Sequence, residues 1–205
     1  MKQKQLFLAL VGLVALVTVV YMFAGGDSEK VYQERISQER ERQFKYLKFN
    51  AESPLSDEQK SKLDSLDCFP IDENYKVRAR LVPLQNKQTL EIAMSDGSKE
   101  MYVKHSVAEF ELNGSTQRLL LLQSKKEVDG KNFFLTFADA TSGESTYGGG
   151  RYLNLRQDGM NSITIDFNLA YNPYCAYNPD FACPIPPKEN ILNIPIEAGE
   201  KNYKE

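Results

Sequence analysis

The stretch TYGGGRYL concentrates residue types that could bind a ligand. It places Gly148, Gly149 and Gly150 between Tyr147 and Arg151. A phosphate-binding loop needs a lysine and a hydroxyl residue at the start of a following helix, whereas these glycines lead into RYLNLR, an alternating pattern typical of a strand. The pattern therefore favours a turn or bulge at a crowded sheet end. The alternative is a nest of backbone amides beside the guanidinium, suited to a carboxylate or another small anion.

The stretch SITIDFN places a carboxylate and an amide side by side. On a strand, Asp166 and Asn168 share the face opposite to the isoleucines. The functional interpretation is a polar pocket floor, and the candidate ligand-binding residues are Tyr147, Gly148, Gly149, Gly150, Arg151, Asp166, Asn168, Tyr171 and Asn172. The structural interpretation is that Asp166 pairs with Arg151, while the asparagines bond to loop backbone.

Cys175 and Cys183 lie in one proline-rich loop and are separated by seven residues. In an oxidising compartment this spacing predicts a disulfide. No metal site is predicted, because neither a second cysteine pair nor a nearby histidine is present. A hard-cation site remains conceivable from the oxygen-bearing side chains of Asp166, Asn168, Asn172 and Asp180.

Catalytic assemblies receive no specific support from residue spacing. His105 is the only histidine, and no nucleophile or carboxylate need lie near it, so we expect a surface or half-buried side chain. Hydrolysis by paired carboxylates would have to use residues such as Asp166, Glu189 or Glu197, whose spacing cannot place two of them at one gap. No cofactor is predicted, and whether the protein is an enzyme stays open.

The sequence that positions these residues has a pattern typical of a mainly β fold. From Tyr75 the pattern alternates with period two, and short apolar runs then recur about every ten residues between Asp-Gly and Asn-Gly pairs. The predicted later strands cover residues 89–94, 101–104, 107–112, 117–123, 132–138, 151–156, 162–168 and 191–196. Pro195 assigns the last strand to an edge. An antiparallel meander forming a barrel-like or sandwich domain is therefore expected.

Two helices are predicted before the sheet. Residues 29–50 carry apolar side chains at helical spacing between alternating charges. A shorter helix begins after Ser56, because Gln59 three residues later completes a capping box.

An uncharged apolar stretch begins at Leu6 and ends at Ala24. As a helix, its 19 residues would rise about 28 Å, close to the hydrocarbon thickness of a bilayer. We expect a single-pass anchor in the cytoplasmic (inner) membrane, with the domain facing the periplasm or cell exterior. A signal peptide, giving a periplasmic or secreted protein after cleavage, is the competing interpretation. The net charge of −3 predicts no nucleic-acid partner.

Four ordered motifs carry a family resemblance: TYGGGRYL, DFNLAYNPYCAY, CPIPPKEN and EAGEK. Together with SPLSDEQKSKLDSLDCFPIDENYKVRARL, they resemble a bacterial family catalogued as domain of unknown function 1684. The resemblance implies a mostly β domain, often exported in relatives, and assigns no activity. Members tend to carry another residue at the position of Cys68, which implies that Cys68 does not belong to a family-wide pair.

The sequence thus predicts an anchor or signal peptide over residues 1–26, a helical lead-in over residues 27–70 and a β-rich domain over residues 71–205. The leading functional hypothesis is a membrane-anchored extracytoplasmic domain. It would bind a small molecule, glycan or envelope protein through the polar cluster near GGGRYL and DFNLAYNP. The alternatives are a hydrolase or lyase that uses the same cluster and a non-catalytic envelope scaffold.

Overall fold

A computed structural model describes residues 29–85, 88–125 and 127–204. The described part of the chain divides into two units, with the boundary between Ser37 and Gln38. The predicted membrane span from Leu6 to Ala24 lies outside the described residues. Within the described ranges, no helix combines the length and apolar character needed to cross a bilayer.

The larger unit is a nearly closed antiparallel barrel of seven strands. The strands are β1 (Lys76–Pro83), β2 (Thr89–Ala93), β3 (Lys99–Leu112), β4 (Ser115–Ser124), β5 (Asn132–Phe137), β6 (Arg151–Arg156) and β7 (Ser162–Asp166). Their order is β6-β5-β4-β3-β1-β7, with β2 pairing with β3. The predicted mainly β antiparallel fold is confirmed, in its barrel form.

Period-two burial explains most of these strands. In β1 the side chains of Val77, Ala79 and Leu81 are buried between exposed neighbours. The turn glycines Gly97 and Gly114 adopt positive φ, as predicted for hairpins. The two strands predicted over residues 101–112 form one strand, β3, because a register shift between Lys104 and Ser106 interrupts the alternation without breaking the pairing with β4.

Two helices precede the barrel, as predicted. Helix α1 covers Glu29–Phe49, and its residues from Gln38 onward belong to the larger unit. Helix α2 covers Asp57–Lys62, and Ser56 and Gln59 form the predicted capping box. Leu47, Leu55, Leu63 and Tyr177 are buried together in a small cluster that joins both helices to the loop after β7.

The main core combines strand side chains with the C-terminal segment. Phe137 and Phe167 pack edge to face, with centroids 5.3 Å apart, and Leu192, Ile196 and Ala198 join the same cluster. The prediction of a strand over residues 191–196 is wrong. Alternate side chains are buried, but Pro195 has no N–H to donate and the backbone forms only an isolated bridge between Ala138 and Ile191.

A buried asparagine fastens this segment to the barrel where two strands separate. The only paired residues of β4 and β5 are Leu122 and Phe134. Beyond that point, the Asn190 side chain accepts from the Leu120 N–H at 2.6 Å and donates to the carbonyls of Leu120 and Thr136 at 3.0 and 2.8 Å. Its amide thereby replaces part of the missing ladder.

Candidate functional site

The triple glycine forms a tight turn before β6. The Gly150 N–H donates to the Tyr147 carbonyl at 3.0 Å. Gly150 has φ +84°, and a Cβ at this position would lie 2.5 Å from the Phe137 carbonyl oxygen and 2.6 Å from Pro186 Cγ. A Cβ on Gly148 would make only ordinary contacts, with the nearest atom at 3.5 Å. The requirement for glycine at position 150 is therefore steric and conformational.

Arg151 is fully buried and belongs to the fold rather than to a pocket. Its Nη2 donates to Asp139 Oδ2 and to the Ile196 carbonyl, both at 2.9 Å. Its Nη1 donates to the carbonyls of Ala198 and Glu200. Burial lowers the pKa of Arg151, and the Asp139 carboxylate acts in the opposite direction. The expected pairing of Arg151 with Asp166 is wrong. The carboxylate that pairs with the guanidinium is that of Asp139, which lies between β5 and β6.

The carboxylate and amide of SITIDFN are used in local structure. Asp166 caps the 3-10 helix Phe167–Leu169, and its Oδ1 accepts from the backbone N–H and side-chain amide of Asn168, both at 3.2 Å. Asn168 also accepts from the Asp72 N–H at 3.0 Å and donates to the Asp72 carbonyl at 2.7 Å. The Asn172 amide donates to the Lys201 carbonyl at 2.7 Å. The predicted bonding of both asparagines to backbone is confirmed.

A cleft of about 510 Å³ lies between α1 and the loop after β7. Its size falls within the usual range for small-ligand sites. Of the predicted ligand-binding residues, it contains Asn168, Tyr171 and Asn172. Tyr147, Gly148, Gly149, Gly150, Arg151 and Asp166 are not among its lining residues.

Four tyrosines line this cleft: Tyr46, Tyr171, Tyr174 and Tyr177. The rings of Tyr46 and Tyr174 are stacked with centroids 6.4 Å apart, and the Tyr174 hydroxyl donates to the Tyr46 hydroxyl at 2.7 Å. The Tyr171 hydroxyl accepts from Asn154 Nδ2 at 2.8 Å, which leaves its own hydrogen oriented for another acceptor. Burial raises the pKa of Tyr171, so this hydroxyl stays a donor at neutral pH.

The charged side chains that line the cleft have partners. All three donor nitrogens of Arg40 bond to backbone: Nε and Nη2 to the Asn168 carbonyl at 3.3 and 3.2 Å, and Nη1 to the Phe69 carbonyl at 3.0 Å. Arg42 pairs with Glu39 one turn earlier on α1. The cleft therefore combines aromatic faces with amide groups, and its two arginines already have hydrogen-bond partners in the fold.

A buried carboxylate supports one wall of the cleft. Glu200 accepts from Gln43 Nε2 and from the Asn172 N–H, both at 2.9 Å, and from the Tyr177 hydroxyl. Burial raises the pKa of Glu200, against the opposing effect of these donors. The three contacts join α1, the loop after β7 and the C-terminal segment at a single side chain.

The predicted disulfide is absent from the structure, where Cys175 and Cys183 are both free thiols. Cys183 Sγ instead accepts a hydrogen bond from the Cys175 backbone N–H at 3.1 Å. Cys68 is a third free thiol and lines the cleft. Burial raises the pKa of Cys68 to about 11, which keeps it protonated and unreactive at neutral pH.

The remaining candidates lie apart from one another. Glu189 pairs with Lys104 at 3.0 Å, and Asp166 is a buried cap. His105 is half-buried, as expected, and its ring packs against Phe133 at 4.6 Å. Among the described residues, no group of three or more histidine, cysteine or acidic side chains is arranged to hold a metal ion.

Sequence reasoning missed several residues of the cleft: Arg40, Gln43, Tyr46, Asn154, Tyr174 and Tyr177. The helix residues look like an ordinary solvated face, because the loop that covers them is more than 100 positions away. The one available signal was the density of tyrosines and asparagines in NLAYNPYCAYNP, a stretch that contributes seven of the lining residues, five of them tyrosine or asparagine.

A model of the family described as "Protein of unknown function (DUF1684)" matches residues 61–201. The solution NMR structure of an uncharacterized protein from Haloarcula marismortui is similar, with 30% identity and a TM-score of 0.66. The match covers 83% of this chain and 94% of that one. No curated protein matches the chain.

Proposed function

The chain belongs to the DUF1684 family, which has no assigned activity, and from the geometry of the cleft we propose that it is a binding domain for a small neutral molecule. The ligand has an apolar ring face and hydroxyl or carbonyl groups, which is the chemistry of a glycan unit. The observation that carries this proposal is the tyrosine-walled cleft whose two arginines are already engaged, Arg40 by backbone carbonyls and Arg42 by Glu39.

The residues that line the cleft favour a ligand without a net charge. A charged ligand would need an opposite charge to compensate for its lost hydration. Arg40 donates to backbone carbonyls through all three of its nitrogens, and Arg42 is paired with Glu39. An apolar ring can instead lie against Tyr46 and Tyr174 while an oxygen acceptor meets the Tyr171 hydroxyl.

The described lining favours binding over hydrolysis. Hydrolysis requires a nucleophile or a pair of carboxylates around one bond. Glu39 is the only carboxylate among the lining residues, and the Cys68 thiol is held protonated by burial. The hydrolase or lyase alternative therefore has no observation of its own, whereas the scaffold alternative accounts for Arg151 and Asp166, which serve the fold.

We also propose that the stretch from Leu6 to Ala24 holds this domain at the outer face of the cytoplasmic membrane, or exports it if the stretch is cleaved. The support is the length and apolar character of the segment. In that location the cleft would meet small molecules, glycans or protein segments of the envelope.

A thermal-shift panel on the full chain tests the binding proposal. The probes are neutral mono- and oligosaccharides, neutral aromatic fragments and carboxylate or phosphate compounds. At about tenfold above Kd, binding adds about 1.4 kcal/mol and raises Tm by roughly 3–6 °C. We expect the neutral compounds to produce the shift. A panel in which only charged compounds shift Tm, or none does, would contradict the proposal.

Two variants locate the binding. Tyr171→Phe removes the available hydroxyl and should weaken affinity roughly 2- to 12-fold, the effect of one net hydrogen bond. Tyr75→Phe is the matched control, because this ring packs against the main core rather than lining the cleft. Equal losses of affinity in both variants would contradict the assignment of the ligand to the cleft.

A further inference from the structure

Cys175 and Cys183 form a cluster of hydrogen-bonded groups outside the lining of the cleft. Cys175 lies in the 3-10 helix Tyr174–Ala176, and its backbone N–H donates to Cys183 Sγ at 3.1 Å. The Tyr147 hydroxyl donates to Cys175 Sγ at 3.6 Å. The Ser95 hydroxyl donates to the Phe181 carbonyl at 3.2 Å. One half-buried sulfur thus has the Tyr147 hydroxyl as a donor and the second cysteine next to it.

The fold holds the second sulfur in place. The Cys183 N–H donates to Ser95 Oγ at 3.0 Å, and the Ser95 N–H donates to the Cys183 carbonyl at 2.9 Å. The next residue, Pro184, bridges Met94 and accepts from the Tyr152 hydroxyl at 2.6 Å. Cys183 is therefore fixed to the turn between β2 and β3, and the Cys175 sulfur lies next to it.

The two thiols differ in pKa because they play opposite parts in the interaction between them. Hydrogen bonding, first from Cys183, lowers the pKa of Cys175 to about 6, although burial opposes this shift. The pKa of Cys183 is raised, because its proton is held in the bond to Cys175. The pKa of Tyr147 is raised to about 12, so its hydroxyl remains a donor. Cys175 is thus a thiolate at neutral pH, and Cys183 is a thiol beside it.

We infer that Cys175 and Cys183 form a thiol–disulfide exchange site, in which Cys175 is the attacking sulfur and Cys183 the resolving sulfur. The substrate class is a small or exposed disulfide, RSSR. This differs from a permanent structural crosslink, because the donors around Cys175 stabilise its reduced form and make its sulfur a good leaving group when the pair is oxidised. The site is independent of ligand binding in the cleft.

The exchange balances in two steps. The Cys175 thiolate attacks one sulfur of RSSR, so that an S–S bond forms between Cys175 Sγ and that sulfur, the S–S bond of RSSR breaks and RS⁻ leaves, taking a proton from solvent. Cys183 then loses its proton to solvent and attacks Cys175 Sγ, and the second RS⁻ departs and is protonated. Two protein thiols are oxidised to one disulfide, and RSSR is reduced to two RSH molecules.

Alkylation of the reduced full chain with iodoacetamide, followed by peptide mass spectrometry, tests the role of Cys175. Its rate should reach half of its maximum near pH 6 and at pH 7 should exceed that of Cys68 at least roughly tenfold, because only thiolates react. Tyr147→Phe removes one donor and should move the midpoint to higher pH. Equal rates at Cys175 and Cys68, or a Cys175 midpoint above about pH 8, near that of an ordinary thiol, would overturn the inference.

Oxidised glutathione tests the second step. Cys183→Ser should trap a glutathione adduct on Cys175, whereas the wild type should proceed to an intramolecular disulfide without accumulating the adduct. Cys175→Ser should leave Cys183 unmodified, and Cys68→Ser is the matched control that should behave as wild type. Retention of Tm in each variant shows that the loop still folds. An adduct that accumulates equally in the wild type and in Cys183→Ser would refute the resolving role.

Discussion

At the scale of single residues, the polar residues of the sequence motifs divide into those that hold the fold and those that face the cleft. Arg151 was a natural candidate for a ligand contact, and nothing in the sequence distinguishes Asp139 from Asp166 as its partner. The choice depends on where the turn before β6 places the guanidinium. A buried guanidinium needs internal acceptors, and both terminal nitrogens of Arg151 find them in Asp139 and three carbonyls of the C-terminal segment.

Arg151→Met should therefore destabilise the fold rather than alter binding alone. It leaves the Asp139 carboxylate buried without its cation, a loss of roughly 3–5 kcal/mol. Arg156→Met on the same strand is the matched control, because its pair with Asp129 is exposed to solvent and contributes little to stability. Chemical denaturation of both variants measures the difference. Similar free energies of unfolding would contradict the structural role of Arg151.

The triple glycine gives a second prediction at this scale. Gly150→Ala should cost roughly 1–3 kcal/mol or more, because the residue would take positive φ and meet the Phe137 carbonyl. Gly148→Ala meets no close atom and should change the free energy of unfolding by less than about 1 kcal/mol. Urea titrations of the two variants provide the comparison. An equal cost at both positions would show that chain flexibility, and not crowding at Gly150, explains the motif.

At the scale of elements, the alternation of apolar and polar residues predicted most of the strands correctly and failed in two places. The interruption near His105 suggested two strands, but a local register shift keeps β3 continuous. From Ile191 to Ile196 the side chains do alternate between exposed and buried positions, since Leu192 and Ile196 are buried. It does not produce a strand, because the backbone partners of this segment come from side chains and isolated carbonyls. Burial periodicity reports which side faces the core and not whether a ladder forms.

The Asn190 amide should carry much of the attachment of that segment. Asn190→Asp keeps the size of the side chain but removes its two donated bonds and places a charge opposite the Leu120 and Thr136 carbonyls. We expect a loss of roughly 2–4 kcal/mol, as for a broken buried network. Asn193→Asp, at an exposed position in the same segment, is the control. Thermal unfolding with equal Tm for both variants would contradict this account.

At the scale of the whole molecule, the sequence predicts the fold class better than the site. Local alternation and turn residues specify the strands, whereas the cleft forms only when α1, more than 100 residues earlier in the chain, meets the loop after β7. Tyr46 and Tyr174 become neighbours through that closure. Their separation in sequence explains why the cleft could not be assembled by inspection of motifs.

Membrane attachment is a prediction at this same scale. The full chain should remain in the membrane pellet after carbonate extraction, and its domain should be degraded by protease added outside spheroplasts. Replacing Leu13 and Leu16 by arginine should release it, since each charge near a helix centre costs roughly 2.5–3.5 kcal/mol. A shortened N-terminus by intact mass would identify a cleaved signal instead. A full-length chain in the soluble fraction would contradict both interpretations.

Ligand binding in the cleft is tested most directly by chemical-shift mapping on the isotope-labelled protein with the neutral compound that raises Tm most. We expect the perturbed amides to cluster around the cleft at Asn154, Tyr171 and Tyr174, and Tyr171→Phe to reduce the affinity while Tyr75→Phe does not. Perturbations that centre on another surface and leave these three residues unchanged would contradict it.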